Sequence, residues 1–290
     1  MAHISDVLLV WAVAAYAVAM LGYAAEFAFK RARIGHVAVG LTVAGWLVHI
    51  GSVVTRGFAA HRVPWGNMYE FSSMVSLVAV TVFLALLTRQ PVRFLGAFVM
   101  APVVLYLGLA GTVLYADAGP LVPALNSYWI KIHVVAAITA SGAFMVSGVV
   151  TVLYLIKERW ERRTSIGPGT AAVTEFGRRG LLAWLPASEV LDRIAYRVVA
   201  FAFPVWTFAI IAGAIWAEQA WSRYWGWDPK ETWSFITWLA YAAYRHARAT
   251  AGWRGRRAAV LSLIGFSCLM VDYYVVNTVI TGLHSYAGVS

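Results

Sequence analysis

Residues 134–156 read VVAAITASGAFMVSGVVTVLYLI and contain no charged side chain. An apolar stretch of about 20 residues is long enough to cross the hydrocarbon layer of a bilayer as one α-helix. Within that layer a segment must satisfy its own backbone hydrogen bonds, and a helix does so. The stretch therefore predicts a transmembrane helix rather than a core element of a soluble domain.

Comparable apolar runs recur along all 290 residues. Of these residues, 61% are apolar or aromatic and 12% are charged, whereas soluble domains carry about 25% charged residues. So few charges argue against a soluble enzyme, a disordered protein and a nucleic-acid binder. We predict an all-α polytopic integral membrane protein, a single transmembrane domain over 1–290, with about eight spans near 7–29, 36–55, 71–88, 94–116, 129–156, 194–217, 233–250 and 259–280.

The positive charge of the chain predicts its orientation. The formal net charge is +10, and most Lys and Arg residues follow the first, third, fifth and seventh apolar runs. Because Lys and Arg accumulate in cytoplasmic loops, we expect an N-out, C-out topology. The segment 157–193 is then a cytoplasmic loop and 218–232 an extracytoplasmic loop. The charge is thus explained by topology in a lipid bilayer, with no nucleic-acid partner.

Tryptophan is concentrated around the second of these loops, where residues 221–233 read WSRYWGWDPKETW. An interfacial aromatic belt is the simpler explanation, but a belt needs only one or two such residues at each helix end. A platform for a flat, polarisable ligand fits better, because aromatic ring faces offer a large apolar contact. The rings expected to contact that ligand are Trp221, Trp225, Trp227 and Trp233.

Two histidines are predicted at the depth of this loop. His133 lies four residues into the fifth run, about 6 Å below its outer end at the helical rise. His284 follows the eighth run, in the sequence GLHSY at 282–286. A single interfacial histidine more often makes a structural hydrogen bond. Two imidazoles facing each other across an aromatic pocket instead match the axial ligation of haem iron by protein side chains.

Other ionisable residues are predicted inside the membrane. His246 lies toward the other end of the seventh run, in YRHAR at 244–248. Such residues are costly in a bilayer and are often functional, although an interfacial basic cluster explains the neighbouring arginines. His49 is the nearest intramembrane histidine, but it lies closer to the outer face. For Glu26 and Asp272, snorkelling or helix packing is at least as good an explanation as chemistry.

Several motifs together resemble one family. WGWDPKETW at 225–233 resembles the tryptophan-rich WWD signature of haem-handling membrane proteins, with Ser222 where the signature often has glycine. Further motifs resemble the CcsA/ResC family of system II cytochrome c biogenesis. These are PWGNMYE at 64–70, WIKIHV at 129–134, GWRG at 252–255, VN at 276–277 and GLHSY at 282–286. The resemblance covers about residues 60–290 and is weak over 1–55 and 157–193.

The resemblance implies export of haem b, as cargo and substrate, and its covalent attachment to Cys-x-x-Cys-His segments of apocytochrome c. It implies that His133 and His284 ligate haem iron on the extracytoplasmic face. It also implies that His246 ligates iron within the membrane, opposite a histidine of a CcsB/ResB-type membrane subunit, which makes His49 a less favoured ligand. The expected setting is a cytochrome c synthase (haem lyase) complex in a bacterial plasma membrane or a thylakoid membrane. Thiols must be reduced by other proteins, since Cys268 is the only cysteine.

Charged residues of the loop are candidates for further roles in haem binding. Arg223 and Lys230 are expected to pair with haem propionates, because charge-assisted hydrogen bonds to carboxylates are strong. Pairing of Lys230 with Asp228 or Glu231 is an equal alternative. Asp228 joins the two external histidines as a candidate catalytic residue, or with Glu231 it orients the loop or a ligand imidazole.

Two other functions remain open from the sequence. A system I haem-delivery protein shares the tryptophan signature, and a haem chaperone in place of the CcsB-type partner would identify it. A secondary transporter of another flat solute belongs to a different functional class. Such transporters usually contain an internal repeat, and this sequence has no repeat that we can find.

Overall fold

The computed structural model describes residues 1–119, 127–165 and 181–283. In these ranges the chain forms eight long helices and no strand, which confirms the predicted all-α architecture. A π-helical turn, Val271–Val275, and a final turn, Val276–Val279, extend the last helix. The helices are α1 (Ala2–Phe29), α2 (Ala32–Ala60), α3 (Met68–Leu87), α4 (Gly96–Thr112), α5 (Tyr128–Ser165), α6 (Ser188–Trp221), α7 (Pro229–Ala249) and α8 (Arg256–Met270).

Seven of the eight described helices are long and apolar enough to span a membrane, when α4 is taken from Arg93 and α8 is taken through to Val279, and α7 is the exception. The apolar runs predicted about eight spans, with one at 233–250. The helix at that position falls short because charged residues lie near both of its ends and its middle is rich in Trp, Tyr and Thr. It packs against α6 and α8. The chain is thus a multi-pass membrane protein, and its N-out, C-out orientation stays a prediction.

Two connections are shorter than the sequence predicted. The predicted loop 157–193 begins inside α5, because an ion pair between Nζ of Lys157 and Oε1 of Glu161, 3.6 Å apart, supports the helix beyond the apolar run. The predicted loop 218–232 reduces to residues 222–228, because α6 continues to Trp221 and α7 already begins at Pro229. Part of the tryptophan-rich segment is therefore helical.

The helices pack mainly in three neighbouring pairs, α1 with α2, α5 with α6 and α7 with α8. α3 lies between α4 and α5, and α4 also contacts α1. The buried faces are rich in alanine and serine, whereas large apolar side chains such as Leu47 and Leu105 are exposed. Small residues at helix contacts and large apolar residues toward lipid are typical of membrane bundles. Aromatic stacking adds to the core, where Phe144 of α5 lies on Tyr241 of α7 with ring centroids 3.9 Å apart.

A buried charged network fixes the connection between α2 and α3. Oε1 of Glu70 accepts a hydrogen bond from Nε of Arg56 at 3.1 Å, and Oε2 accepts one from Nη1 of Arg62 at 2.7 Å. The same Oε2 accepts the backbone N–H of Gly66 at 2.8 Å. Because unpaired charges are expensive away from water, this network holds the backbone of the segment 61–67 in one conformation.

Two residues that the sequence left open have structural partners. Nε of Arg93 donates to Oε2 of Glu26 at 3.0 Å. The fully buried His49 has Nε2 at 2.9 Å from the Ser73 hydroxyl and Nδ1 at 3.4 Å from the Tyr16 hydroxyl. Helix packing therefore accounts for both Glu26 and His49.

Gly142 of α5 lies directly against α3. A Cβ atom at this position would be 2.7 Å from Cγ1 of Val78 and 2.9 Å from the carbonyl oxygen of Val75. Since that oxygen cannot move without the helix, we expect Gly142→Ala to destabilise the fold by about 1–3 kcal/mol, seen as a lower Tm in detergent. Gly108→Ala in α4 is the matched control, because no atom lies within 4 Å of its added methyl group. Equal melting temperatures for the two variants would contradict this packing.

Candidate functional site

A cavity of about 180 Å³ lies between five helices. It is bounded by the starts of α3, α5 and α7, by α6, and by the end of α8. An apolar pocket with a few convergent polar groups is typical of a small-molecule site. The lining includes Trp65, Asn67, Met68, Phe71, Ile130, His133, Trp206, Gly213, Trp216, Trp221, Tyr224, Trp225, Lys230, Glu231, Asp272, Tyr273 and Asn277.

His133 is held in a defined orientation in the wall of this cavity. Its Nδ1 lies 2.8 Å from the carbonyl oxygen of Ala209 in α6. A carbonyl oxygen only accepts hydrogen bonds, so Nδ1 carries the proton and the lone pair of the neutral ring is on Nε2. This is the tautomer in which a backbone carbonyl orients an imidazole that ligates a metal through Nε2. The indole of Trp216 stacks on the ring, with centroids 6.4 Å apart and planes 14° apart.

The tryptophan-rich turn 222–228 is organised by one carboxylate. Oε2 of Glu231 accepts the backbone N–H groups of Gly226 at 2.8 Å and of Asp228 at 3.1 Å. Nη1 of Arg223 lies 3.7 Å from the same oxygen. Two residues of the turn adopt left-handed backbone conformations, Ser222 at φ 55° and Trp227 at φ 57°. The hydrogen bonds from these N–H groups to Glu231 therefore stabilise a turn that contains two unfavourable backbone conformations.

Asp228 is the N-cap of α7 and forms a capping box with Glu231. Its Oδ2 accepts the N–H of Lys230 at 3.3 Å, and its Oδ1 accepts the N–H of Leu283 at 2.8 Å. Asp228 thereby connects the start of α7 to the chain that directly precedes His284. His284 itself lies outside the described residues.

The predicted aromatic residues divide into two groups. Trp221, at the end of α6, and Trp225, in the turn, line the cavity. Trp227 and Trp233 are not part of its wall. Trp227 is 64% exposed and meets Trp225 edge to face, with centroids 5.7 Å apart. Trp233 lies on the first turns of α7.

The two basic residues of the segment have different surroundings. Nζ of Lys230 reaches across to α8, where it donates to the carbonyl oxygen of Asp272 and to Oδ1 of Asn277, each at 3.1 Å. Among the described residues, the Lys230 side chain therefore does not form the ion pair with Asp228 or Glu231 that the sequence left as an alternative. Arg223 is paired with Glu231 and is not part of the cavity lining. Of the two, Lys230 presents a cation to the cavity.

His246 lies far from this cavity. It is separated from Glu231 by 15 positions along α7, or about 22 Å at the helical rise. Its side chain is exposed, close to the end of the helix at Ala249. The structure does not bring His246 together with His133. If both histidines bind a ligand, they therefore belong to two separate binding sites.

Some cavity residues were not assigned a role from the sequence. Trp65, Asn67 and Met68 belong to the motif at 64–70, which resembles the family but did not by itself predict a role for these side chains. Gly213 lies so close to His133 that an added Cβ would be 2.7 Å from its Nδ1. The motif at 64–70 could have indicated that Trp65, Asn67 and Met68 belong to the site. A glycine inside an apolar run gives no comparable signal, because its role depends on the neighbouring helix.

The sequence matches relatives of known name over most of its length. The family described as cytochrome C assembly protein matches residues 65–284. The relatives include proteins named cytochrome c biogenesis protein CcsA from several organisms. That of Gloeobacter violaceus is 35% identical, covering 96% of this chain and 95% of its own length. That of Porphyra purpurea is 33% identical over 92% of each chain. That of Synechococcus elongatus is 36% identical over 80% of this chain and 81% of its own.

The fold is also similar to a solved structure named cytochrome c haem lyase CcmF. The TM-score is 0.69 at 16% sequence identity, and the match covers 94% of this chain and 46% of that chain. This chain thus spans about half the length of that structure. At this level of identity the similarity establishes a shared fold.

Replacing Asp228 tests its connection to the end of the chain. Asp228→Ala removes both the helix cap and the acceptor of the Leu283 N–H. We expect a loss of about 0.5–2 kcal/mol in stability, together with faster amide hydrogen exchange at 280–283. Asp228→Asn is the matched variant, because asparagine caps helices about as well as aspartate, and it should retain most of the stability. Unchanged exchange at 280–283 in Asp228→Ala would show that the connection does not hold this segment.

Proposed function

The chain belongs to the cytochrome c assembly protein family, and we propose that it exports haem b and presents it for covalent attachment to apocytochrome c. The observation that carries the proposal is the cavity beside His133, in which a ring with its lone pair on Nε2 faces an aromatic wall. In this proposal haem is cargo and substrate rather than a resident cofactor. The chain acts as one subunit of a cytochrome c synthase (haem lyase) complex.

The donor set of the cavity fits a porphyrin. Neutral imidazole is an axial ligand of haem iron, and His133 supplies one with its orientation fixed by α6. Trp221 and Trp225 offer apolar faces for the ring system. Lys230 supplies a cation for a propionate, and Arg223, which is paired with the lining residue Glu231, is a second candidate. Trp227 supports this aromatic wall from outside the cavity through its edge-to-face contact with Trp225.

We assign the second axial ligand of this site to His284. The hydrogen bond from Leu283 to Asp228 supports this assignment, because it holds the preceding residue beside the tryptophan-rich turn. Asp228 then acts in catalysis by positioning a ligand rather than by touching the substrate. The active site is assigned to the extracytoplasmic face of a bacterial plasma membrane or a thylakoid membrane.

His246 is proposed as a ligand of a second, membrane-embedded haem site. Its exposure on α7 supports a mate from another chain, which we take to be a CcsB/ResB-type membrane subunit. Haem would enter at that site and then pass to the cavity near His133. The separation of the two histidines along α7 supports two binding sites connected by transport.

Attachment requires a vinyl edge of haem close to two reduced thiols of a Cys-x-x-Cys-His segment. Haem supplies the vinyl groups that react, and the protein ligates the iron and orients the ring. Holding both reactants in one cavity replaces an encounter in solution by a nearly unimolecular step. The thiols must be kept reduced by other proteins, because Cys268, the single cysteine of the chain, lies on α8 and has no second thiol with which to exchange.

Replacing His133 by glycine tests the ligand assignment. We expect His133→Gly, in the complex with its membrane subunit, to lose haem from the cavity site and to form holocytochrome c at least about tenfold more slowly. Added imidazole should restore part of both, because it can occupy the vacated axial position. Haem content by absorption spectroscopy and covalent haem on cytochrome c are the two readouts.

His61→Gly is the matched control for this experiment. His61 is exposed and adopts φ 51° at the end of α2, a conformation that glycine accepts readily. We expect this variant to keep its haem and its activity. Normal haem content and normal cytochrome c maturation in His133→Gly would overturn the assignment of His133.

A further inference from the structure

Asp272 is a buried acid that the proposed function leaves without a role. It lies in the π-helical turn Val271–Val275, is 3% exposed and lines the cavity. Its Oδ1 has no hydrogen-bond partner among the described residues. A buried acceptor left unpaired costs about 1–3 kcal/mol. Such a cost within a cavity wall points to a partner that arrives with a substrate.

The local backbone supports a chemical role for this residue. A π turn is a rare interruption of an α-helix and occurs frequently at functional sites. Nζ of Lys230 is held by the backbone oxygen of Asp272 and by Asn277. A cation is thereby fixed beside the backbone of Asp272, although Oδ1 itself remains unpartnered within the described part of the chain. The ammonium group offsets part of the cost of burying the negative charge of Asp272.

The groups present on the two substrates indicate different roles for Lys230 and Asp272. Propionates of haem are anionic acceptors, which Lys230 attracts and an Asp272 carboxylate repels. Vinyl groups neither donate nor accept ordinary hydrogen bonds. A cysteine thiol is a donor, and it must also lose its proton before its sulfur can form a thioether bond. The thiol is therefore the reacting group that complements the unpaired oxygen of Asp272.

We propose that Asp272 is a catalytic residue of thioether formation, accepting the proton of an apocytochrome cysteine and returning it to the haem vinyl group. This inference rests on the function proposed above and adds a general acid–base to it. General acid–base catalysis by one positioned side chain contributes about 10²–10⁴-fold to a rate.

The proposed step is balanced in atoms and electrons. The S–H bond breaks, its proton moves to the Asp272 carboxylate, and an electron pair of the sulfur forms the C–S bond to the inner vinyl carbon. The π electron pair of the vinyl group then takes the proton from Asp272 at the terminal carbon, which becomes a methyl group. The carboxylate is regenerated, and no oxidant or reductant is consumed.

The test compares haem binding with the rate of bond formation. The complex of this chain with its membrane subunit is purified with haem and mixed with a reduced peptide containing Cys-x-x-Cys-His. For Asp272→Asn we expect unchanged haem content and peptide binding, but a rate of thioether formation about 100-fold lower. Asp117→Asn is the matched control, because Asp117 is exposed and lies outside the cavity wall, and it should react at the wild-type rate.

A second variant separates chemistry from structure. Asp272→Ala leaves space for a small carboxylate, so added formate should raise its rate severalfold, whereas chloride at the same concentration should not. A purely structural role of Asp272 gives no such rescue. The inference is overturned if Asp272→Asn reacts at the wild-type rate. It is also overturned if both variants lose haem, or if formate has no effect on Asp272→Ala. Absence of haem from the wild-type complex would instead contradict the proposed function itself.

Discussion

The two carboxylates that begin α7 hold most of the site together. Oε2 of Glu231 accepts two backbone N–H groups of the turn 222–228, and this turn has little core of its own because Trp227 and Tyr224 are largely exposed. Asp228 caps the helix and binds the Leu283 N–H. The same helix start directs Lys230 toward α8. One capped helix terminus therefore sets the positions of the aromatic wall, of a cation and of the chain that leads to His284.

In a membrane bundle, the role of a buried polar side chain can be inferred from whether it has a partner within the chain. Every buried polar group in an apolar bundle needs a partner, because water is not present to supply one. Glu70 and His49 find theirs within the chain and serve the fold. Asp272 lines a cavity, and its Oδ1 has no hydrogen-bond partner in the described parts of the chain, while His246 is exposed near the end of α7. For Asp272 we therefore propose a substrate as partner, and for His246 a second subunit.

Much of the architecture follows from the position and length of the apolar runs alone, which predicted the position of each long helix. The helix ends were predicted less well, since ion pairs such as Lys157–Glu161 extend a helix beyond its apolar run and a capping box starts one early. For the site, placing His133 beside the tryptophan-rich segment required only the helical rise. The tautomer of His133 and the unpaired oxygen of Asp272 depend on contacts with Ala209 and on a π turn, which no local pattern encodes.

The central claim is that this fold holds haem between two histidines of the chain. It is tested most directly by the absorption and electron paramagnetic resonance spectra of the wild-type chain, purified with its membrane subunit from cells that make haem. The account predicts bound haem with the low-spin spectra of bis-histidine ligation. A folded complex that contains no haem, or one whose iron is high-spin with a single protein ligand, would contradict it.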